Sequence, residues 1–113
     1  MKRILLVEPV SDFLATFLDG RFELDIATTA EAGAALLEVR SYVAVVSELE
    51  LAIHDGVWLL ERAARRQPAA RRVLLSDRSE DFVDTRRSGV EFAFLGKPLP
   101  FGRLLDLIDP PAA

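Results

Sequence analysis

The sequence predicts an α/β fold in which helices cover both faces of a parallel sheet, an arrangement called doubly wound. Short apolar runs alternate with segments whose apolar residues recur at helical spacing, and this alternation occurs five times in 113 residues. The third run, residues 43–46, is apolar throughout, which is typical of a central strand buried on both faces. In such sheets the functional side chains gather beyond the carboxyl ends of the strands.

The strands are indicated by short runs rich in branched apolar residues, each bounded by turn residues. Residues 22–27 alternate apolar and polar side chains, which is typical of a strand near the edge of a sheet. The predicted strands are residues 3–7, 22–27, 43–46 with an extension to Ser47, 72–75 and 92–95.

The helices are indicated by apolar residues three and four apart, and by capping residues before them. In the second helix Ala30, Ala34 and Leu37 recur at this spacing, and Leu36 and Val39 are two further candidates for its core face. The fourth helix carries only Phe82 and Val83 as large apolar residues, so we expect it to pack weakly. The predicted helices are residues 13–18, 30–39, 56–66, 80–88 and 101–108. The predicted N-caps are Ser11 or Asp12, Thr28 or Thr29, and Ser79, with Gly89 closing the fourth helix.

Length and composition limit the class of protein. A chain of 113 residues can bury one core, and we assign residues 1–109 to one domain and residues 110–113 to a tail or the start of a linker. The absence of cysteine fits a reducing compartment, and we expect a cytoplasmic protein. No run is long enough for a membrane span. The net charge of −4 argues against nucleic-acid binding.

Four motifs, taken in order, resemble the receiver domain of bacterial two-component response regulators. They are ILLVEP at residues 4–9, HDG at 54–56, LLS at 74–76 and FLGKPLPFGRLLDLI at 94–108. The resemblance covers nearly the whole chain, and from Lys97 onward the spacing matches without a gap. It implies a flavodoxin-like fold with strand order 2-1-3-4-5.

The resemblance also implies a site for phosphoryl transfer from a histidine kinase to an aspartate at the tip of the third strand. A carboxylate nucleophile forms the acyl phosphate, and a magnesium ion neutralises the oxygens of the transferring group. An acidic pair after the first strand helps to hold the ion. A hydroxyl after the fourth strand and a lysine after the fifth bind the phosphoryl oxygens. Carried over in chain order, the site positions fall on Glu8, Pro9, Glu48, Ser76, Asp77 and Lys97.

Three of these positions depart from the family pattern. Glu48 replaces the aspartate, and its extra methylene moves the carboxylate by about 1.5 Å, which disturbs in-line attack. Pro9 replaces the second acid and offers no side-chain ligand. Asp77 stands where the family favours a small residue, and its charge opposes a phosphate. We therefore expect a degenerate receiver, or pseudo-receiver, that is not an enzyme and is not phosphorylated by the usual route.

The remnant site leaves two questions open. A Glu48–Lys97 pair would either substitute for the phosphorylated state or be a leftover ion pair of small energetic effect. Glu8, Glu48 and Asp77, with the backbone carbonyl of Glu50, would either bind magnesium weakly or form a merely acidic cleft. We favour the cleft and expect no cofactor.

The predicted function is a phosphorylation-independent protein-interaction module. The resemblance places its partner, another signalling protein or a second copy, on the fourth helix, fifth strand and fifth helix. Trp58 is either a partner contact or packing over arginine stems, and Phe94 favours an inward position. The candidate partner surface comprises Trp58, Arg86, Arg87, Phe94 and Phe101.

Two alternatives from other classes remain. One is a divergent receiver that is still phosphorylated or metal-bound. The other is a small-ligand sensor that binds a nucleotide through its arginines, although a solvated basic face explains them more simply. These arginines are Arg62, Arg65, Arg66, Arg71, Arg72, Arg86 and Arg87.

Overall fold

Five strands and five helices alternate along the chain and confirm the predicted α/β class. The computed structural model describes residues 1–9, 13–87 and 89–111. The strands pair in parallel in the order β2-β1-β3-β4-β5, as the resemblance implied. The elements are β1 (Arg3–Val7), α1 (Phe13–Leu18), β2 (Glu23–Ala27), α2 (Ala30–Val39), β3 (Ala44–Glu48), α3 (Gly56–Arg66), β4 (Arg71–Ser76), α4 (Glu80–Asp84), β5 (Ala93–Gly96) and α5 (Phe101–Ile108).

The sheet divides the core into two layers. Helices α2, α3 and α4 supply buried residues to one layer, whereas α1 and α5 supply the other. Successive side chains of a strand point to opposite faces, so Leu5 of β1 joins the first layer and Leu6 the second. This explains why the central strands are apolar throughout. No helix of the described residues is long and apolar enough to cross a membrane.

Side-chain caps fix the start of three helices. The side chains of Thr29, Asp55 and Ser79 accept hydrogen bonds from the backbone N–H three residues later, at 3.1, 3.0 and 3.2 Å. These bonds satisfy donors that have no partner within the helix. The predicted caps Ser11 and Asp12 of α1 lie outside the described residues.

The prediction that the fourth helix extends to residue 88 is wrong in its length. Helix α4 ends at Asp84 and buries only Val83. The amide of Thr85 is shared between carbonyls three and four residues earlier, and the amides of Arg86 and Arg87 donate to carbonyls three residues earlier, at 2.9 and 3.3 Å. With one buried residue to hold it, the segment tightens into turns instead of continuing as an α-helix.

The prediction that Val39 faces the core is also wrong, since its side chain is 74% exposed. The buried positions of α2 are Ala30, Gly33 and Leu37. Two residues beyond Leu37 correspond to a rotation of about 200° around the helix. Val39 therefore lies on the outer face at the end of α2.

Gly56 allows α3 to begin directly against the end of β3. Its N–H donates to the carbonyl of Leu49 at 2.8 Å. A Cβ atom at this position would lie 2.2 Å from the carbonyl oxygen of Glu48 and 2.8 Å from Cδ1 of Leu74. Only glycine permits this approach, which fixes the backbone that presents the Glu48 side chain.

Replacing Gly56 with alanine should destabilise the protein by about 3 kcal/mol, because the new methyl group collides with backbone that cannot move easily. Urea unfolding followed by far-UV circular dichroism measures this loss. Gly102→Ala in α5 is the matched control, since nothing lies within 4 Å of the added Cβ. It should leave stability unchanged or raise it by up to about 1 kcal/mol. Equal effects of the two substitutions would contradict the close-approach argument.

Candidate functional site

Parallel pairing brings the predicted site residues to one edge of the sheet. Glu48 ends β3 and Ser76 ends β4. Ser76 pairs in register with Gly96, the last residue of β5. The next amide, of Lys97, donates to the Ser76 carbonyl at 3.0 Å. Glu48, Ser76 and Lys97 therefore lie together at the carboxyl ends of three neighbouring strands.

The centre of this edge is an ion pair between Glu48 and Lys97. Lys97 Nζ lies 2.6 Å from Glu48 Oε1, with the two side chains 37% and 16% exposed. Partial burial strengthens the attraction relative to a surface pair, and partial exposure limits the pair to about 1 kcal/mol. The lysine that would bind a phosphoryl oxygen in a receiver binds a carboxylate here.

Of the two residues that follow β1, only Glu8 is acidic. Glu8 is buried, and its N–H donates to the carbonyl of Ala27 at 3.0 Å, which continues the pairing of β1 with β2. Pro9 is exposed and carries no side-chain oxygen. The second acid that the family pattern requires is therefore absent from its position.

The residues after β4 are arranged around a hydrogen-bonded turn. Ser76 is buried, and its Oγ accepts from the N–H of Arg78 at 2.9 Å. Asp77 is exposed. The Arg78 guanidinium donates to Glu50 at 2.8 Å, and this hydrogen bond raises the pKa of Arg78. The Glu50 side chain thus links the loop after β3 to the loop after β4.

The donors at this edge do not fit the magnesium ion that the resemblance implies. Across residues 1–9, 13–87 and 89–111, no three histidine, cysteine, aspartate or glutamate side chains form a group able to hold a metal ion. Glu48 contacts Lys97 and Glu50 contacts Arg78. Of the oxygens expected to bind magnesium, the Glu48 carboxylate is already held by Lys97, and Pro9 supplies no side-chain oxygen.

The candidate aromatic residues of the partner surface are half-buried. Phe94 packs against the core layer beneath α2 and α3. The ring of Phe101 lies 4.5 Å from that of Phe17, measured between centroids, and joins the other layer. Each ring therefore offers part of its surface to a partner.

The two candidate arginines near α4 already have partners within the chain. Arg86 Nη2 lies 2.6 Å from Asp55 Oδ2. Arg87 Nε lies 2.9 Å from Asp84 Oδ1, and its guanidinium lies 3.7 Å from the centroid of Phe92. The first contact joins the α4 segment to the start of α3, so these arginines help to fix the α4 segment.

Trp58 belongs to a stack that the sequence did not reveal. The ring of His54 stacks on it with centroids 4.0 Å apart, and the guanidinium of Arg62 lies 3.6 Å from its centroid. His54 Nδ1 also lies 2.6 Å from Glu31 Oε2 of α2. The spacing of four residues on either side of Trp58, to His54 and to Arg62, was the available signal. The contacts support the packing alternative for Trp58.

The seven arginines do not form one patch. Arg62, Arg65 and Arg66 line a groove between α2 and α3. Arg72 lies on β4, where its Nε donates to the carbonyl of Glu91 at 2.7 Å. The basic surface is therefore divided among separate parts of the molecule.

The contact between His54 and Glu31 should make stability depend on pH. The hydrogen bond with His54 lowers the pKa of Glu31 below its ordinary value of 4.5. A carboxyl whose folded-state pKa is lowered stabilises the fold above its unfolded-state pKa, and this contribution disappears as pH falls through the folded-state value. In urea titrations, Glu31→Gln should therefore reduce the free energy of unfolding at pH 7 and have little effect well below pH 4.5.

Glu61→Gln on α3 is the control for this effect, since the single histidine of the sequence pairs with Glu31. A Glu31→Gln deficit that stays constant between pH 7 and pH 3.5 would show that ionisation of this carboxyl does not matter.

Several solved structures that superpose on this chain are receiver domains. A receiver domain protein (CheY-like) from Methanospirillum hungatei is 26% identical, with a TM-score of 0.77 over 94% of this chain and 89% of its own. A response regulator receiver protein from Sinorhizobium medicae is 18% identical, with a TM-score of 0.81 over 95% of this chain and 90% of its own. A Burkholderia pseudomallei response regulator, solved with a phosphorylated aspartic acid, calcium ion and citrate, is 19% identical, with a TM-score of 0.80 over 96% of this chain and 67% of its own.

Comparison of sequences, in contrast to comparison of structures, identifies no family for the chain. No protein-family model and no curated protein matches the chain. The strand order, the parallel pairing and the structural neighbours agree, however. The chain has the CheY-like, flavodoxin-like fold of response regulator receiver domains.

Proposed function

We propose that this chain is a receiver-like module of two-component-type signalling that binds another protein without being phosphorylated. The observation that carries the proposal is the ion pair of 2.6 Å between Glu48 and Lys97. It places a carboxylate against the group that would otherwise bind the phosphoryl oxygens. Glutamate has the same charge as the aspartate of the family pattern, but its longer side chain carries that charge to Lys97 at the tip of β3.

The surroundings of Glu48 support the loss of phosphoryl transfer. The Burkholderia pseudomallei neighbour carries a phosphorylated aspartic acid and a calcium ion, whereas the strand tip here is a glutamate bound to Lys97. Pro9 provides no ligand, and Asp77 adds negative charge near the entering group. The longer nucleophile, the missing acid and the added charge each raise the barrier to phosphoryl transfer.

The ion pair also supports a constitutive substitute for the phosphorylated state. An interaction of about 1 kcal/mol shifts a two-state equilibrium about fivefold. The pair would therefore favour one arrangement of the fold without locking it. A partner that binds that arrangement would find it about fivefold more populated, relative to the other, than without the pair.

The docking surface that we propose comprises α4, β5 and α5. Helix α4 is short, buries only Val83 and is joined to α3 by the Arg86–Asp55 contact. Elements with few buried contacts have low local stability and adjust readily to a partner. The partner is another signalling protein, or a second copy of the chain.

Incubation with acetyl phosphate and magnesium, followed by intact-mass spectrometry, tests the loss of phosphoryl transfer. We expect the wild-type chain to gain no phosphoryl group. Glu48→Asp combined with Pro9→Asp restores the family's acids and should gain at least a partial adduct. A stable adduct on wild-type Glu48 would contradict the proposal and favour a divergent receiver. In that case the retained Ser76 and Lys97 would bind the phosphoryl oxygens.

Amide chemical shifts test whether the ion pair biases the docking surface. Glu48→Gln and Lys97→Ala each break the same contact, so they should shift the same amides of α4, β5 and α5. Glu38→Gln breaks the Arg66–Glu38 ion pair, which has a distance of 2.6 Å, and controls for loss of an ion pair elsewhere. If both site variants change only residues next to the substitution, the pair is a leftover contact.

A further inference from the structure

A groove of about 620 Å³ lies between α2 and α3 and has no role in the function proposed above. Helix α2 lines it with Ala34, Ala35, Leu37 and Glu38. Helix α3 lines it with three arginines, Arg62, Arg65 and Arg66. No residue of α4, β5 or α5 lines the groove, so it is separate from the first docking surface.

The wall formed by α2 is apolar and low. Ala35 is exposed, and Val39 one turn further along is 74% exposed. Residues four apart lie on one helix face, so Val39 extends the alanine wall beyond the groove. The methyl side chains leave room for larger apolar side chains from outside.

The wall formed by α3 is basic. Arg66 Nη2 lies 2.6 Å from Glu38 Oε1 across the groove, and Arg62 lies over Trp58. Arg65 is exposed, and within the described part of the chain no carboxylate forms an ion pair with it. The groove thus brings three guanidinium groups together with a single carboxylate, on a chain whose net charge is −4.

We infer that the groove binds an amphipathic helix of a partner protein, with an apolar stripe flanked by acidic residues. Arg65 and Arg66 each lie about one turn of α3 from Arg62, so both neighbour it on the helix surface. Carboxylates one turn apart on an incoming helix repeat at the same distance. The apolar stripe of that helix packs on Ala34, Ala35 and Val39 while its acids meet the arginines.

A protein helix suits these residues better than a nucleotide does. The ring of Trp58 is stacked with His54 and covered by Arg62, so it offers no open face to a base. The backbone N–H groups within α2 and α3 are used in their own helices, so the guanidinium groups are the main donors. A phosphate bound to the arginines would leave the apolar wall exposed to water.

Fluorescence of Trp58, the only tryptophan of the chain, reports on the groove because Arg62 both lines it and covers the ring. The probe is a synthetic peptide of about 15 residues that lacks tryptophan and carries a leucine–alanine face flanked by glutamates. We expect a saturable change in emission that weakens as salt is added. The same peptide with lysine in place of glutamate should give none.

Variants locate the binding. Arg65→Glu should weaken binding of the acidic peptide by roughly tenfold or more. Val39→Asp should also weaken this binding, because it disrupts the apolar wall. Both residues are exposed, and thermal melts check that the variants fold. Arg21→Glu, in the turn between α1 and β2, is the charge-matched control and should bind like the wild type.

Several results would overturn this inference. They are equal binding of both peptides, no binding of the acidic peptide, or unchanged binding by Arg65→Glu. A saturable response to ATP that Arg65→Glu abolishes would instead assign the groove to phosphate ligands. None of these results bears on Glu48, and phosphorylation of Glu48 would end the first proposal without affecting the groove.

Discussion

The ion pair between Glu48 and Lys97 connects the ends of β3 and β5 across the intervening strand β4. It depends on the parallel register of three strands and on the approach of α3 that Gly56 permits. Removing either partner leaves the other charge partly buried, which costs more than losing both. The pair therefore favours an arrangement of the carboxyl edge in which Lys97 neutralises Glu48.

Further ion pairs connect the loops at the same edge of the sheet. Arg78 joins the loop after β4 to Glu50, and Arg86 joins the α4 segment to Asp55. Each pair is exposed on at least one side and contributes little alone. Together they join the loop after β3 to the loop after β4 and to the segment after α4. These contacts agree with our proposal that the domain is recognised by a partner and not phosphorylated.

The two proposed surfaces differ in chemistry and therefore suit different partners. The surface of α4, β5 and α5 presents half-buried aromatic rings and arginines that are already paired. The groove between α2 and α3 combines an alanine wall with a concentration of positive charge. The stack of His54, Trp58 and Arg62 runs from the loop after β3 to this groove. The two faces that we propose as docking surfaces thus lie on separate parts of one small domain.

The sequence by itself determined the strands and the order of elements, because these follow from apolar periodicity and turn residues over short stretches. The resemblance to receiver domains then assigned Glu48, Ser76 and Lys97 to the site. Tertiary structure decided where α4 ends and that Val39 faces outward, since both depend on what packs beside them. It also decided the contacts of Arg78 with Glu50 and Arg86 with Asp55, whose members are 28 and 31 residues apart. No local pattern encodes such pairs, because they form only when the sheet and helices have set the distance between the loops.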